Sequence, residues 1–292
     1  MADRIPVSVV VMTKNEERNL RACLRSLERF DEVFVVDSGS TDATRAIATA
    51  SGATVVDFAW DGGYPKKKQW CLDRLPFAHD WVLYVDADER VTPELADEVA
   101  RTLAAGPRHA GYFVGLDYVF LGRVLRHGHR VYKLALLDRT RSRFLDYPDL
   151  DASNMWEVEG HYQPAVDGST ALLRGRLVHE DHDSLYHWFE RHNRYSDWEA
   201  VLHAKGALVS GDEAQRRVRR ALKRAFHRLP AKSLAAFLYG YVFRLGLLDG
   251  RAGLHYAVAR SFYYWQVAVK RHELELRDAR VAAPATTVEA AR

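Results

Sequence analysis

The sequence predicts an α/β fold: a mixed, mainly parallel sheet between helices, followed by a helical C-terminal region. Three features predict it. Short apolar runs alternate with amphipathic segments through the first 180 or so residues of the 292-residue chain. Acids stand where two of those runs end, at Asp37 and Asp86. The last third loses this alternation and takes on helical periodicity.

Val7 to Met12 has the pattern of a buried strand. Thr13-Lys14-Asn15-Glu16-Glu17 follows, and Asn15 is suited to cap a helix with an acidic first turn. Leu20, Cys23, Leu24 and Leu27 share one face of that helix. Glu32 to Val36 is the second strand, and it runs into the polar turn Asp37 to Asp42. A helix over about Ala43 to Ala50 and a third strand over Ala53 to Phe58 complete a strand-helix alternation. Asp61 to Pro65 is a loop, and Lys66-Lys67-Lys68-Gln69-Trp70 opens a short helix. The three lysines offer charge for a diphosphate, or a solvated face for at least two of them. Trp81 to Val85 is the fourth strand, ending in Asp86, Asp88 and Glu89, with a helix starting at Thr92-Pro93-Glu94.

Three neighbouring carboxylates at a buried strand end repel one another unless a cation neutralises them. The ligand crevice of an open α/β sheet lies outside the carboxyl ends of its strands. A solvated strand-to-helix turn is the plain alternative. Asp37, also at a strand end, is placed to accept from a ribose hydroxyl or a base N–H, or else bonds its own turn. No glycine-rich phosphate loop follows any of these strands, which disfavours a Walker ATPase or a dinucleotide oxidoreductase.

Gly111 to Phe120 and Val131 to Leu137 read as strands, joined by a basic turn from Leu121 to Arg130 that is either a phosphate contact or a solvated hairpin. Asp146 to Pro164 lacks periodicity and is rich in Trp, Tyr, His, Glu and Gln, a composition suited to sugars. Ala171 to Val178 is the last strand and ends in His179-Glu180-Asp181-His182. His179 and His182 also admit a reading as a helical metal pair, and each admits a structural one. Ser184 to Val209 reads as a long helix. Ala214 to Lys232 holds eight Lys/Arg and no acid and reads as a basic amphipathic helix. Leu234 to Leu248 is nearly all apolar, Asp249-Gly250 breaks it, and Gly253 to Leu276 resumes. The Ala/Thr-rich residues 281–292 read as a disordered tail.

Four segments together resemble family 2 inverting glycosyltransferases of the GT-A fold, the Rossmann-like nucleotide-diphospho-sugar transferase fold. They are Val-Val-Val-Met-Thr-Lys-Asn-Glu-Glu at 9–17, Val-Val-Asp-Ser-Gly-Ser-Thr-Asp at 35–42, Lys-Gln-Trp-Cys-Leu at 68–72 and Val-Asp-Ala-Asp-Glu at 85–89. The similarity is greatest to the lipopolysaccharide-core β-1,4-glucosyltransferase group, and His192 to Ala200 resembles the same group. Residues 1–183 are then the GT-A domain and 184–280 a helical C-terminal region, for which the basic and apolar segments leave a cap on the sheet and a membrane-associating anchor both open. The resemblance implies that Thr13, Asn15, Glu16 and Asp37 line the donor pocket, with Lys68 and Asp86 on the donor as well. Asp86-Ala87-Asp88 would be the D-x-D motif, with Mg²⁺ or Mn²⁺ on Asp88, Asp86 and His179. An inverting transferase needs a base for the acceptor hydroxyl; Glu159 is the first choice and Glu157 the second, and one of the two only bonds a loop.

The expected reaction moves a sugar, first choice glucose from UDP-glucose, onto a lipopolysaccharide-core or other cell-surface glycan. A polyprenyl-phosphate glycosyltransferase and a non-catalytic nucleotide-sugar-binding module are the rivals. The totals fit an ordinary globular enzyme: 48% hydrophobic, 28% charged and a net charge of +3, which does not suggest a nucleic-acid partner. Cys23 and Cys71, the two cysteines, fit a reducing compartment. No run of 18 apolar residues occurs, so the expectation is a cytoplasmic protein, either soluble or peripheral on the inner membrane. The C-terminal helices then either cap the sheet or anchor the enzyme near a lipid-linked acceptor.

Overall fold

The computed structural model describes residues 4–147, 149, 155–159, 163–205 and 232–282. The basic segment up to residue 231, Asn154, Gly160, His161, Tyr162 and the tail from residue 283 lie outside the described residues.

Strands β1 (Ile5–Thr13), β2 (Phe30–Asp37), β3 (Thr54–Asp57) and β4 (Trp81–Asp86) are parallel and stand in the order β3-β2-β1-β4. Helices α1 (Leu20–Ser26), α2 (Thr44–Ala50) and α3 (Lys67–Arg74) connect them. Strand residues alternate between two apolar cores. Val9, Val11, Val35, Leu83 and Val85 face α1 and α2, while Val10, Phe34, Val36, Val82 and Tyr84 face α3. A parallel strand covered on both faces has to be apolar throughout, which is why these runs are continuous.

The chain leaves β1 in one direction for β2 and β3, then returns to β4 on the other side. This reversal makes the carboxyl ends of β1 and β4 the switch point of the sheet, where α/β folds bind ligands. Register makes the juxtaposition specific: Thr13 pairs with Asp37 and Met12 with Asp86.

Beyond β4 the sheet becomes mixed. β5 (Glu89–Val91) leaves the acidic turn, and α4 (Pro93–Ala104) starts at Thr92, whose hydroxyl accepts from the Leu95 N–H at 3.2 Å. β6 (Gly111–Phe120), the short β7 (Arg123–Val124) and β8 (Val131–Asp138) follow. β8 runs antiparallel to both β4 and β6. The short β9 (Ser142–Arg143) and β10 (Ala165–Val166) pair apart from the main sheet, and β11 (Thr170–His179) lies parallel to β6. β5 closes the row by pairing antiparallel with the end of β11, setting His179 opposite Glu89.

The remaining described elements are helical. α5 (Leu185–Ala204) packs on the long α7 (Gly250–Ala282). Between them lie α6 (Lys232–Phe237), a π-helical turn over Leu238–Phe243 and a 3-10 turn over Gly246–Asp249. Residues 281 and 282 thus belong to a helix, not to a tail. The apolar stretch from Leu234 to Leu248 is three short helical pieces. Among the described residues no helix is long and apolar enough to cross a membrane.

Gly175 in β11 lets α4 press against the sheet, because a Cβ there would lie 2.4 Å from the Leu95 Cα. Backbone atoms have no rotamer with which to move aside. Gly175→Ala is expected to cost about 1–3 kcal/mol, read as a lower urea midpoint at unchanged slope; an unchanged midpoint would contradict this packing.

Candidate active site

Asp86 ends β4, and its N–H donates to the Glu89 carboxylate at 2.9 Å. Glu89 is fully buried. Lys133, reaching in from β8, contacts both: its Nζ is 3.2 Å from Asp86 Oδ2 and also bonds Glu89. Burial would raise the Asp86 carboxyl, but Lys133 and Lys68 outweigh it and hold the group below its usual range. At Glu89 burial wins, and its carboxyl is pushed up despite Lys133.

Asp88 faces His179. Asp88 Oδ1 and His179 Nδ1 are 3.3 Å apart, an ion-pair contact without hydrogen-bond alignment, and neither atom has a hydrogen-bond partner. Burial would lower the imidazole, but Asp88, Glu89 and Asp86 raise it to about 9. A carboxylate oxygen and a ring nitrogen that converge without bonding each other fit a shared hard cation. Among the described residues no three His, Cys, Asp or Glu side chains form a cage. A Mg²⁺-like ion needs none, since it binds through one or two carboxylates and takes its other ligands from phosphates and water.

The β1–α1 and β2–α2 loops, at the carboxyl ends of neighbouring strands, are stitched together. The Asn15 N–H donates to the Ser40 hydroxyl and the Asn15 side chain accepts from the Thr41 N–H, both at 2.8 Å. Asn15 holds φ 58°, a left-handed conformation that asparagine tolerates. The Glu16 N–H donates to Thr44 Oγ1 at 2.7 Å. Burial pushes the Glu16 carboxyl up to about 8, against its bond from Asn19 and with help from Asp88.

Asp37 is fully buried and accepts four bonds, from Thr13 Oγ1, the Ser40 N–H and hydroxyl, and Arg45. Burial alone would raise it; these donors hold it below its usual range. As placed, Asp37 shapes the loop and presents no free oxygen.

The lysines at the start of α3 correct an expectation. A solvated face for two of the three fails, because Lys66 and Lys67 are buried. Lys66 pairs with buried Asp149 at 2.9 Å, and Asp149 also accepts from Trp198 Nε1 at 2.7 Å. Lys67 Nζ donates to the Thr13 carbonyl at 3.1 Å and the Ser38 hydroxyl at 2.6 Å, and lies 3.5 Å from Glu157. It ties the ends of β1 and β2 to the 155–159 segment. Lys68 is only half-buried and bears on Asp86.

Glu159 also departs from its expected place. Its two oxygens accept the Lys68 and Gln69 N–H groups at 2.7 and 2.8 Å, in the first turn of α3. Buried and committed to otherwise unpaired helix amides, it is not placed to take a proton from an acceptor. Glu157 keeps 18% of its side chain exposed.

After β11 the chain turns back over the site. His182 lies in this loop, not on a helix, so a helical His179–His182 pair does not form. Its ring nitrogen contacts Arg90 at 3.0 Å. Arg191 of α5 pairs with Asp181 and Asp183, and its charge reaches Asp88. Arg191 and Lys133 were not singled out in the sequence. The signal for Lys133 is a lone lysine inside Val131 to Leu137, where a buried charge requires a partner.

The sequence profile of glycosyl transferase family 2 matches residues 8–158. The lipopolysaccharide core biosynthesis glycosyltransferase LpsC of Rhizobium meliloti (strain 1021) is 34% identical over 95% of this chain and 97% of its own. The uncharacterized glycosyltransferase RT0209 of Rickettsia typhi (strain ATCC VR-144 / Wilmington) is 26% identical over 95% of this chain and 90% of its own. Among solved structures, S. aureus TarS 1–349 aligns with a TM-score of 0.47 at 16% identity, over 93% of this chain and 91% of that one. Glucosyl-3-phosphoglycerate synthase from Mycobacterium tuberculosis, solved with Mn²⁺, UDP and glucosyl-3-phosphoglycerate, aligns with a TM-score of 0.31 at 28% identity, over 39% and 44%.

The Asp88–His179 pair has a titration signature. In the metal-free protein the His179 ring should titrate near 9, and Asp88→Asn should lower it, because burial is then opposed only by Glu89 and Asp86. With a raised folded-state value, the pair's contribution to stability is full below 6.5 and is lost as pH rises through about 9. NMR titration of the imidazole reads this directly; a wild-type value near 6.5 would contradict the pairing.

Proposed function

This chain belongs to glycosyl transferase family 2 and has a GT-A fold, and we propose that it transfers a hexose from a nucleotide sugar to a surface glycan with inversion. Glucose from UDP-glucose is the first choice of donor, and a lipopolysaccharide-core sugar is the acceptor, in keeping with the name of the Rhizobium relative. The observation that carries the reading is the Asp88–His179 contact beside Asp86, at the switch point of the sheet.

The residues divide the work as follows. Thr13, Asn15 and Glu16 frame the nucleotide, and the base or ribose reaches Asp37 by displacing Arg45, its longest contact at 3.3 Å. Asp88 and His179, with Asp86 beside them, would hold Mg²⁺ or Mn²⁺, which when bound would supply Lewis-acid stabilisation of the departing diphosphate. Lys68 adds charge on the same side. The acceptor oxygen bonds to the anomeric carbon as the bond to the diphosphate breaks, and the acceptor proton passes to Glu157. Glu157 replaces Glu159 in this role because it is the one of the two that keeps exposed surface. The catalytic domain is residues 1–183, and the described helices beyond it, Leu185–Ala204 and those from Lys232 onward, lie on the acceptor side. A lipid-linked acceptor would place the enzyme at the cytoplasmic face of the inner membrane.

Donor choice is read by thermal shift across nucleotide sugars with and without Mn²⁺, since a ligand of the native state stabilises in proportion to RT ln(1 + [L]/Kd). UDP-glucose with Mn²⁺ should give the largest shift; equal shifts for every nucleotide would contradict the reading. Glu157→Gln should lower kcat by on the order of 10²-fold or more and remove the acid limb of the pH–rate profile, in a protein that stays folded although Lys67 loses a charge partner. Glu159→Gln should instead lower the melting temperature and leave the pH–rate profile in place. The reverse pattern would return the base to Glu159.

A further inference from the structure

The turn between β6 and β8 packs against the helical pieces that precede α7. The Gly128 N–H donates to the Arg244 carbonyl at 2.8 Å, and Asp249 accepts from the Arg126 and His127 N–H groups at 3.1 and 2.9 Å. Together they build a tip whose apolar side chains point outward. Tyr239, Val242, Phe243, Leu245, Leu247 and Leu248 are all exposed, Phe243 at 76%. Leu121 and Val124 of the turn extend the same surface.

Its charge is one-sided. From Tyr118 to Lys133 there is no acid, and Arg123, Arg126 and Arg130 are exposed. From Lys232 to His272 the one acid is Asp249, and it is buried under the turn. In the sequence, residues 214–232 hold eight Lys/Arg and no acid. An apolar surface with a basic rim is the chemistry of an interfacial anchor on anionic lipid. A second copy would bring arginines against arginines. The chain's own 214–231 segment is itself basic and suits this rim no better.

We propose that this tip docks on an anionic phospholipid bilayer, with Phe243 and its leucine neighbours entering the acyl boundary and the arginines meeting headgroup phosphates. The tip shares β6 with the active site: the Tyr118 ring centroid lies 4.4 Å from that of His179 and 6.3 Å from that of Tyr256 in α7. A docked enzyme therefore holds its acidic turn beside the lipid surface. Delivery of a lipid-linked acceptor rests on the transferase reading, whereas docking itself does not.

The test uses the full chain with Phe243→Cys carrying an environment-sensitive dye. Cys23 and Cys71 are buried, and burial pushes both thiols up, so the dye goes to the introduced site. The dye should shift to the blue with phosphatidylglycerol-containing vesicles and not with pure phosphatidylcholine, and salt well above 0.15 M ionic strength should weaken the effect. The unlabelled Phe243→Asp/Leu248→Asp variant should sediment with anionic vesicles on the order of tenfold less than wild type, with donor hydrolysis unchanged. Equal binding to neutral vesicles, no binding, or a variant that binds like wild type overturns the proposal. So does a wild-type dimer that the variant converts to monomer in light scattering. A wild type that binds vesicles but turns over no nucleotide sugar overturns the transferase reading and leaves the docking standing.

Discussion

Three carboxylates within four residues at the end of one buried strand have to be neutralised, and much of the molecule is arranged around that need. Lys133 crosses from β8 to meet Asp86 and Glu89. His179 arrives at the end of β11 to meet Asp88. Each partner depends on sheet register. β8 lies next to β4, and the three residues of β5 clip the acidic turn to β11. Burying Glu89 without Lys133 would leave an unpaired charge in a dry site, which costs several kcal/mol. The site is thus part of the sheet's construction and not a decoration of its loops.

A second constraint organises the opposite wall. Lys67 sits in the interior with bonds to the ends of β1 and β2 and a contact to Glu157. Burial lowers its ammonium group, and Glu157 and Asp37 act against that. Lys66 does a similar job deeper, joining α3 to Asp149 and, through Asp149, to Trp198 of α5. An aperiodic segment and a distant helix are in this way attached to the parallel half of the sheet. Aromatic contacts continue the linkage: Tyr118 lies against His179, His129 and Tyr256.

The first strands were legible because parallel strands covered on both faces must be apolar throughout, and β1 and β4 carry that pattern. The acids at 37 and 86 were legible because strand ends face the crevice. What the residues do there was less so. Asp37 looks like an open acceptor until the loop donors around it are seen. At least two of the lysines at 66–68 read as solvated, because the segment that buries Lys66 and Lys67, which holds Asp149 and Glu157, has no periodicity to announce it. Glu159 reads as a base for the same reason; only the fold shows that its oxygens meet the first turn of α3. The pairing of β5 with β11 was hidden in a strand of three residues, too short for any pattern.

The most direct test of the account is Mn²⁺ binding by the purified chain, followed by electron paramagnetic resonance with and without UDP. Asp88 and His179 supply few protein ligands, so the ion should bind weakly alone and on the order of tenfold or more tightly with UDP, whose phosphates complete its shell. Asp88→Ala should lose that gain while remaining folded. Equal Mn²⁺ affinity with and without UDP, or a UDP-dependent gain that survives Asp88→Ala, would contradict the placement of the diphosphate at this turn.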